Sequence, residues 1–269
     1  MPLWIHRATP AEAPNPGANP PLLRCHMNET LRLMGAHRSI RRFKPDPVPD
    51  ADLERAVRAG QMASTSSNVQ AYSVIHVTEP ERLDALAELS GPQEKVRRCG
   101  AFLVICADTR RHRLIAERVG EPFHDSFENF LVATADAALF AQNLSLAFES
   151  MGYGICYIGG IRNDLPRVAS VLNLPSFVYP VFGLCVGLPD EQPSARPRLP
   201  VEAVLSRDTY PDDATLLAGI DAYDTAYIEY LAARGARPAT WSESVAQKHN
   251  RPTREEVGRF YRDQGAPLG

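Results

Sequence analysis

Apolar and polar positions recur with different periods along this chain, and each period predicts an element. In PDADLERAVRAGQMA, from Pro49, the residues Leu53, Ala56, Val57, Ala59 and Ala63 recur at helical spacing, with Asp50 as a cap and Gly60 near the end. AYSVIHVTE (71–79) reads as a strand, and PERLDALAEL as a helix opened by Pro80. AFLVICAD (101–108) is an unbroken apolar run of strand length, hence a buried central strand. The longest pattern, SFENFLVATADAALFAQNLSLAFESMG (126–152), is apolar on nearly every helical face, which suits a core helix or a contact between subunits. YGICYIGGIRND predicts a strand, a tight Gly-Gly turn and, capped by Asp164, the helix LPRVASVLNL. FVYPVFGLCVGLP (177–189) is another buried strand, broken by Pro180, and the Pro-rich EQPSARPRLPVEAVL leads to a short strand. A helix follows from about residue 212, with two more helical segments after it.

Before these elements stands MNETLRLMGAHRSIRRF, predicted as an opening helix with its own initiator, Met27. Residues 1–26 are rich in Pro and Ala without periodicity and are predicted as a disordered extension. Residues 27–269 are then one domain. Helices and strands mix without strict βαβ alternation, so the expected class is α+β around a central sheet.

Composition narrows the function. A net charge of −3 and a pI near 6.2 argue against bulk nucleic-acid binding, so any basic patch is local. No uninterrupted run of about 18–20 apolar residues predicts a membrane span. Five cysteines, with no C-x-x-C pair, indicate neither a disulfide framework nor a zinc site. Cys106, Cys156 and Cys185 lie in apolar runs and read as buried small hydrophobes. A reduced, cytoplasmic compartment is expected.

Against this acidic background, AHRSIRRFKPDPVPD (36–50) crowds His37, Arg38, Arg41, Arg42 and Lys44 into eight positions. Like charges repel at that spacing. Either the stretch is a solvated turn, or an anion sits among the side chains. Arginine is the best phosphate partner, because its planar fork gives two parallel hydrogen bonds, and Ser39 adds a hydroxyl. SARPRLP (194–200) offers Arg196 and Arg198 on a proline-stiffened backbone; alternation would point them to opposite sides of a straight strand. It could equally be a rigid linker. YIGGIR (157–162) has two glycines that would let a flat ring approach, though it lacks G-x-G-x-x-G spacing, and a glycine pair is often only a turn. STSSNVQ (64–70) is a polar run, either a loop or a supplier of hydrogen bonds to a heterocycle. Neither G-x-S-x-G nor H-E-x-x-H is present. The residues point to a small molecule bearing a phosphate.

In chain order, HRSIR (37–41), STSSNVQ (64–70), GPQ (91–93), CYIGGIRN (156–163), FGLCVG (182–187) and RPRLP (196–200) together resemble the FMN-dependent nitroreductases. The likeness is to the oxygen-insensitive, NADPH-preferring nitroreductase and flavin reductase group, and it runs from about Met27 to the C-terminus. It implies a nitroreductase-like fold: a central, mainly antiparallel sheet flanked by helices, in an interlocked homodimer. FMN is expected in two interfacial clefts, and the C-terminal part embraces the partner.

The resemblance assigns His37, Arg38, Ser39, Arg196 and Arg198 to the FMN phosphate and ribityl chain, with Arg196 standing where relatives commonly carry Lys. It sets Arg41 near the flavin pyrimidine. Thr65, Ser66, Ser67 and Gln70 would line the cleft from the other subunit, and Gln93 would bond the flavin or its ribityl hydroxyls. Asn68 replaces an aromatic found in some relatives. Tyr157, Ile158, Gly159 and Gly160 would pass over the isoalloxazine. Arg234 matches a family arginine for the 2′-phosphate of NADPH, Arg237 matches more weakly, and Glu128 matches an acid at the site mouth.

The implied activity is a ping-pong cycle: NADPH gives a hydride, then nitroaromatics, quinones, free flavins, chromate or azo dyes take two electrons. It needs no catalytic side chain, no metal, no nucleic acid and no membrane. Supplying reduced flavin to a partner and non-catalytic redox sensing are the alternatives.

Overall fold

A computed structural model of the protein describes residues 28–268. The predicted extension 1–26, the proposed start at Met27 and Cys25 lie outside them. The chain divides into two units, Met1–Ala36 and His37–Gly269. Within the described part of the first, α1 (Glu29–Ala36) is a helix whose first turn is capped by Asn28, with its Oδ1 3.0 Å from the Leu31 amide. The helix predicted to run on to Phe43 stops there. From His37 the chain is extended instead, because its backbone bonds go elsewhere.

The second unit is built on four strands in the order β1-β2-β4-β3, every neighbouring pair antiparallel. They are β1 (Tyr72–Val77), β2 (Ala101–Asp108), β3 (Gly154–Ile158) and β4 (Val178–Gly187). Every residue of β2 is buried, as its apolar run requires. Side chains alternate across the pleat. Leu103, Ile105 and Ala107 join one core, while Phe102, Val104 and Cys106 join another on the opposite face. Opposite Pro180, which has no N–H to give the ladder, the β2–β4 register slips between Ile105 and Cys106.

On one face lie α2 (Asp50–Gly60), α6 (Phe127–Ser150) and α10 (Glu256–Asp263). On the other lie α3 (Pro80–Leu89), α4 (Glu94–Arg98) and α7 (Leu165–Leu172). The sheet is thus sandwiched, as an α+β reading requires. The helix α6 has the length and hydropathy of a membrane span, although no uninterrupted apolar run marks it. It nevertheless buries Ala133, Ala137, Phe140, Ala141, Leu144 and Phe148 in the sheet-facing core, where its alanines allow close approach. Leu131 and Leu139 on the same helix stay about half exposed, at 50% and 49%.

Three further predictions need correction. The connector leads to a 3₁₀ turn, Val201–Ala203, rather than a strand. Asp50 is the first residue of α2 and not its cap; Pro49 holds that position without a side-chain bond. The Gly-Gly turn is a 3₁₀ helix, Gly159–Asn163, before α7, whose first turn Asp164 does cap. The helices α4 and α5 (Arg110–Val119) had no predicted counterpart. The first is too short for a periodic signal. The second exposes its apolar Leu114, Ile115 and Val119 rather than burying them. The remaining helices are α8 (Asp213–Ala233) and α9 (Trp241–His249).

One buried acid ties α6 to the polar loop before β1. Asp136 is 1% exposed, and its two oxygens accept from the amides of Ser66 and Ala71, each at 3.1 Å. Asp136→Ala should cost about 2–4 kcal/mol, since two backbone donors lose their partner. Urea unfolding checks this, and a loss within experimental error would refute it.

Candidate active site

The cation-rich stretch reaches its place through backbone pairing. Ser39 forms a parallel bridge with Ile155 of β3, and the Ile40 amide donates to the Ile155 carbonyl at 2.9 Å. Four residues on, Phe43 forms an antiparallel bridge with Pro189, just past the end of β4. The Lys44 amide donates to the Leu188 carbonyl, and the Asp190 amide to the Arg42 carbonyl, both at 2.9 Å. The segment is therefore stitched between β3 and the exit of β4. That exit continues directly into Arg196 and Arg198. Two arginine groups some 155 residues apart are brought together for this reason.

Glu191 secures the junction. Its Oε1 accepts from the amides of Arg41 and Arg42, the latter at 3.1 Å, and Oε2 lies 3.4 Å from Arg42 Nε. Burial pushes this carboxyl up, but the two amides and the neighbouring guanidinium groups outweigh burial and hold it below its ordinary range. His37 is fixed from α6: its Nδ1 lies 2.6 Å from Glu149 Oε1. With the carboxylate ionised, the ring donates from Nδ1 and keeps Nε2 for another partner.

The connector is held by a face of α8 that carries Tyr223, Tyr227 and Tyr230 at helical spacing. The Tyr223 hydroxyl donates to the Pro197 carbonyl at 2.8 Å, fixing the residue between the two arginines. Tyr230 accepts from Arg234, Arg196 and Ser194. Burial raises the Tyr230 phenol, but these donors outweigh it and hold the group below its ordinary value.

The result is a small polar cavity of about 90 Å³, lined by His37, Arg38, Ser39, Arg41, Pro193, Ser194, Arg196, Arg198, Tyr230 and Arg234. None of its ten lining residues is acidic. Five arginines with two serine hydroxyls form a donor set that fits a phosphomonoester dianion, and hence the phosphate end of FMN. Arg196 and Arg198 both line it, so the connector turns enough to defeat strict alternation. Arg234, predicted at a separate nucleotide phosphate, lines this same cavity.

The other predicted residues fall into two groups. The strand bearing Cys156 leads into Tyr157, Ile158, Gly159 and Gly160. The Tyr157 hydroxyl accepts from Ser145 Oγ at 2.9 Å, and its ring packs edge-on against Phe182 with centroids 5.0 Å apart. Gln93 reaches the same turn, donating from Nε2 to the Ser90 carbonyl at 2.6 Å. Neither glycine has positive φ. What Gly160 requires is space: a Cβ there would stand 2.2 Å from the Ser90 carbonyl oxygen and 2.6 Å from Gln93 Nε2. The close approach at Gly160 is made by protein.

Ser66 and Ser67 line a second, more apolar cavity of about 500 Å³ with Glu128, His112, Ile115, Phe123 and others. Thr65 precedes the 3₁₀ turn there, and Gln70 follows it. Ser67, Asn68 and Gln70 hold φ of 46°, 60° and 51°, a left-handed backbone that costs non-glycine residues energy and clusters at functional sites. Arg237 is exposed and lines neither cavity. Sequence reasoning missed Tyr223, Tyr230, Glu149 and Glu191. For the tyrosines the signal was there, in the aromatic i, i+4, i+7 spacing on α8; the two acids carry no local mark.

Residues 34–188 match the Nitroreductase family, and residues 196–268 match its C-terminal domain. The chain belongs to the nitroreductase family. It is 42% identical over 247 residues to a Bacillus subtilis protein named FMN reductase (NADPH), covering 89% of this chain and 98% of that one. It is 40% identical over 232 residues to an oxygen-insensitive NADPH nitroreductase of Salmonella typhimurium, covering 84% and 94%. Among solved structures, the B. subtilis nitroreductase NfrA1 superposes with a TM-score of 0.86 at 40% identity, over 90% of this chain and all of that one. The nitroreductase fold expected from the motifs is thereby shown.

Within this nitroreductase, Tyr230 is expected to hold Arg196 and Ser194 toward the FMN phosphate. Tyr230→Phe should weaken FMN binding about three- to tenfold, near 1 kcal/mol for shared hydrogen bonds, without moving the unfolding midpoint. Calorimetric titration reads the affinity; unchanged binding would exclude a positioning role.

Proposed function

We propose that this nitroreductase is an FMN-dependent oxidoreductase that uses NADPH to reduce nitroaromatics, quinones or free flavin, working as a cytoplasmic homodimer. The observation that carries the reading is the convergence of His37, Arg38, Ser39, Arg41, Arg196 and Arg198 on one acid-free cavity. When bound, FMN supplies the chemistry, taking a hydride from NADPH and passing two electrons to the acceptor. The protein's residues bind and orient. His37, Arg38, Ser39, Arg196 and Arg198 hold the phosphate and the adjoining ribityl chain, with His37 anchored by Glu149. Arg41 supplies positive charge beside the ring system, where reduction builds negative charge. Gln93 gives amide hydrogen bonds, and Tyr157 through Gly160 form the floor beneath the ring. Arg234 and Arg237 take the NADPH 2′-phosphate.

Two observations support the dimer. Ser66, Ser67 and Glu128 lie in a cavity distinct from the cation cavity of the same protomer, as expected if each cleft is completed by the partner. Leu114, Ile115, Val119, Phe127, Leu131 and Leu139 are also 49–64% exposed on α5 and α6. Exposed apolar surface of this kind marks an interface.

The purified protein should be yellow, and anaerobic NADPH should bleach it much faster than NADH. A colourless protein that takes up no FMN would end the reading. Arg234→Ala should raise the KM for NADPH roughly ten- to a hundredfold, the loss of one charge-assisted bond, with FMN affinity and the nitro-substrate KM little changed. An equal rise for both substrates, or loss of FMN, would place Arg234 on the cofactor phosphate instead. Comparing steady-state rates with FMN and with nitrofurazone separates flavin reduction for a partner from nitro reduction.

A further inference from the structure

The polar turn before β1 is held in a shape that its residues do not favour by themselves. Ser67, Asn68 and Gln70 all lie in the left-handed region, and none is glycine. Such a turn persists only where its surroundings fix it. From α6, Asp136 holds the amides of Ser66 and Ala71. A second element holds the carbonyls. His112 Nε2 lies 2.7 Å from the Val69 carbonyl oxygen, and Arg111 Nη1 donates to the Gln70 carbonyl at 3.4 Å. An acceptor for its amides and donors for its carbonyls thus clamp the same turn.

Arg111 and His112 sit in the first turn of α5, and that turn is itself anchored to the sheet. Asp108, the last residue of β2, accepts from the Arg111 amide at 3.3 Å and pairs with its guanidinium at 3.9 Å. The amides of Thr109 and Arg110 donate to the Phe177 carbonyl, at 3.0 and 3.2 Å. His112 therefore projects from a fixed platform, although Leu114, Ile115 and Val119 further along α5 are exposed. A carbonyl oxygen can only accept, so His112 Nε2 carries a proton, and the bond is kept whether the ring is neutral or charged.

We propose that His112, with Arg111 beside it, is a positioning residue for FMN: it fixes the turn that presents Ser66, Ser67 and Gln70 to the cofactor. The inference rests on the proposal that this turn lines a flavin cleft. His112, Ser66 and Ser67 line one cavity of about 500 Å³, so slackening the turn moves hydroxyls at the cavity wall. Asp136 keeps the two ends of the turn, at Ser66 and Ala71, with or without His112. His112 fixes the stretch between them. Loss of its bond should loosen the turn and leave the core intact, because neither partner of the bond belongs to the buried core.

The test compares the full-length wild type with His112→Ala and with His112→Gln, whose amide nitrogen reaches about as far as Nε2. Titrated with FMN after flavin removal, His112→Ala should bind about three- to tenfold more weakly, the worth of one hydrogen bond. Its bound flavin should show a shifted visible band at saturating FMN, and its urea midpoint without flavin should be unchanged. Hydrogen exchange over residues 64–72 should be faster in the flavin-free variant. His112→Gln should recover affinity, band and exchange. Wild-type affinity and band in His112→Ala would overturn this proposal alone, even with faster exchange. So would a weaker affinity matched by a lower midpoint, or no recovery in His112→Gln. A wild type that takes up no FMN would overturn the cofactor reading as well, and shows this before any variant is compared.

Discussion

Everything at this site depends on backbone pairing that forces like charges together. The Phe43–Pro189 bridge and the flanking amide bonds fix the cation-rich segment against the exit of β4. Once that pairing exists, Arg196 and Arg198 have nowhere to go but toward Arg38 and Arg41. Glu191 and Glu149 bind the Arg41 and Arg42 amides, the Arg42 guanidinium and His37, and neither lines the cavity. An anion would complete the arrangement, and phosphate would suit it best because paired guanidinium forks match its oxygens.

The surrounding structure keeps those charges in place. The sheet supplies a central strand, β2, buried on both faces, and α6 supplies Glu149 and Ser145 to hold His37 and Tyr157. The tyrosine face of α8 reaches the connector by side-chain bonds to Pro197, Arg196 and Ser194. An irregular, proline-rich segment is thus held by a regular helix. This limits the conformational freedom that anion binding would otherwise remove.

Legibility in the sequence followed the range of the interaction. The buried strand at 101–108, the long helix at 126–152 and the Asp164 cap were readable because apolar period and capping are local signals. The opening stretch was misread as helix beyond Ala36, since its fate is set by pairing with Ile155 and Pro189 far along the chain. The helix α5 escaped for a related reason: its apolar residues find no core within the protomer. At the site, the arginines were visible as clusters, but their common destination was not. That Arg234 shares their cavity, and that Gly160 serves Gln93 and Ser90, emerge only in three dimensions.

The central claim is that this cavity recognises a phosphate, so the most direct measurement compares FMN with riboflavin. The two share the ring and the ribityl chain and differ in the phosphate alone. Titrated into protein freed of flavin, FMN should bind at least about a hundredfold more tightly, the equivalent of one or two charge-assisted hydrogen bonds. The preference should shrink with Arg198→Ala. Equal affinity for the two flavins would contradict the account.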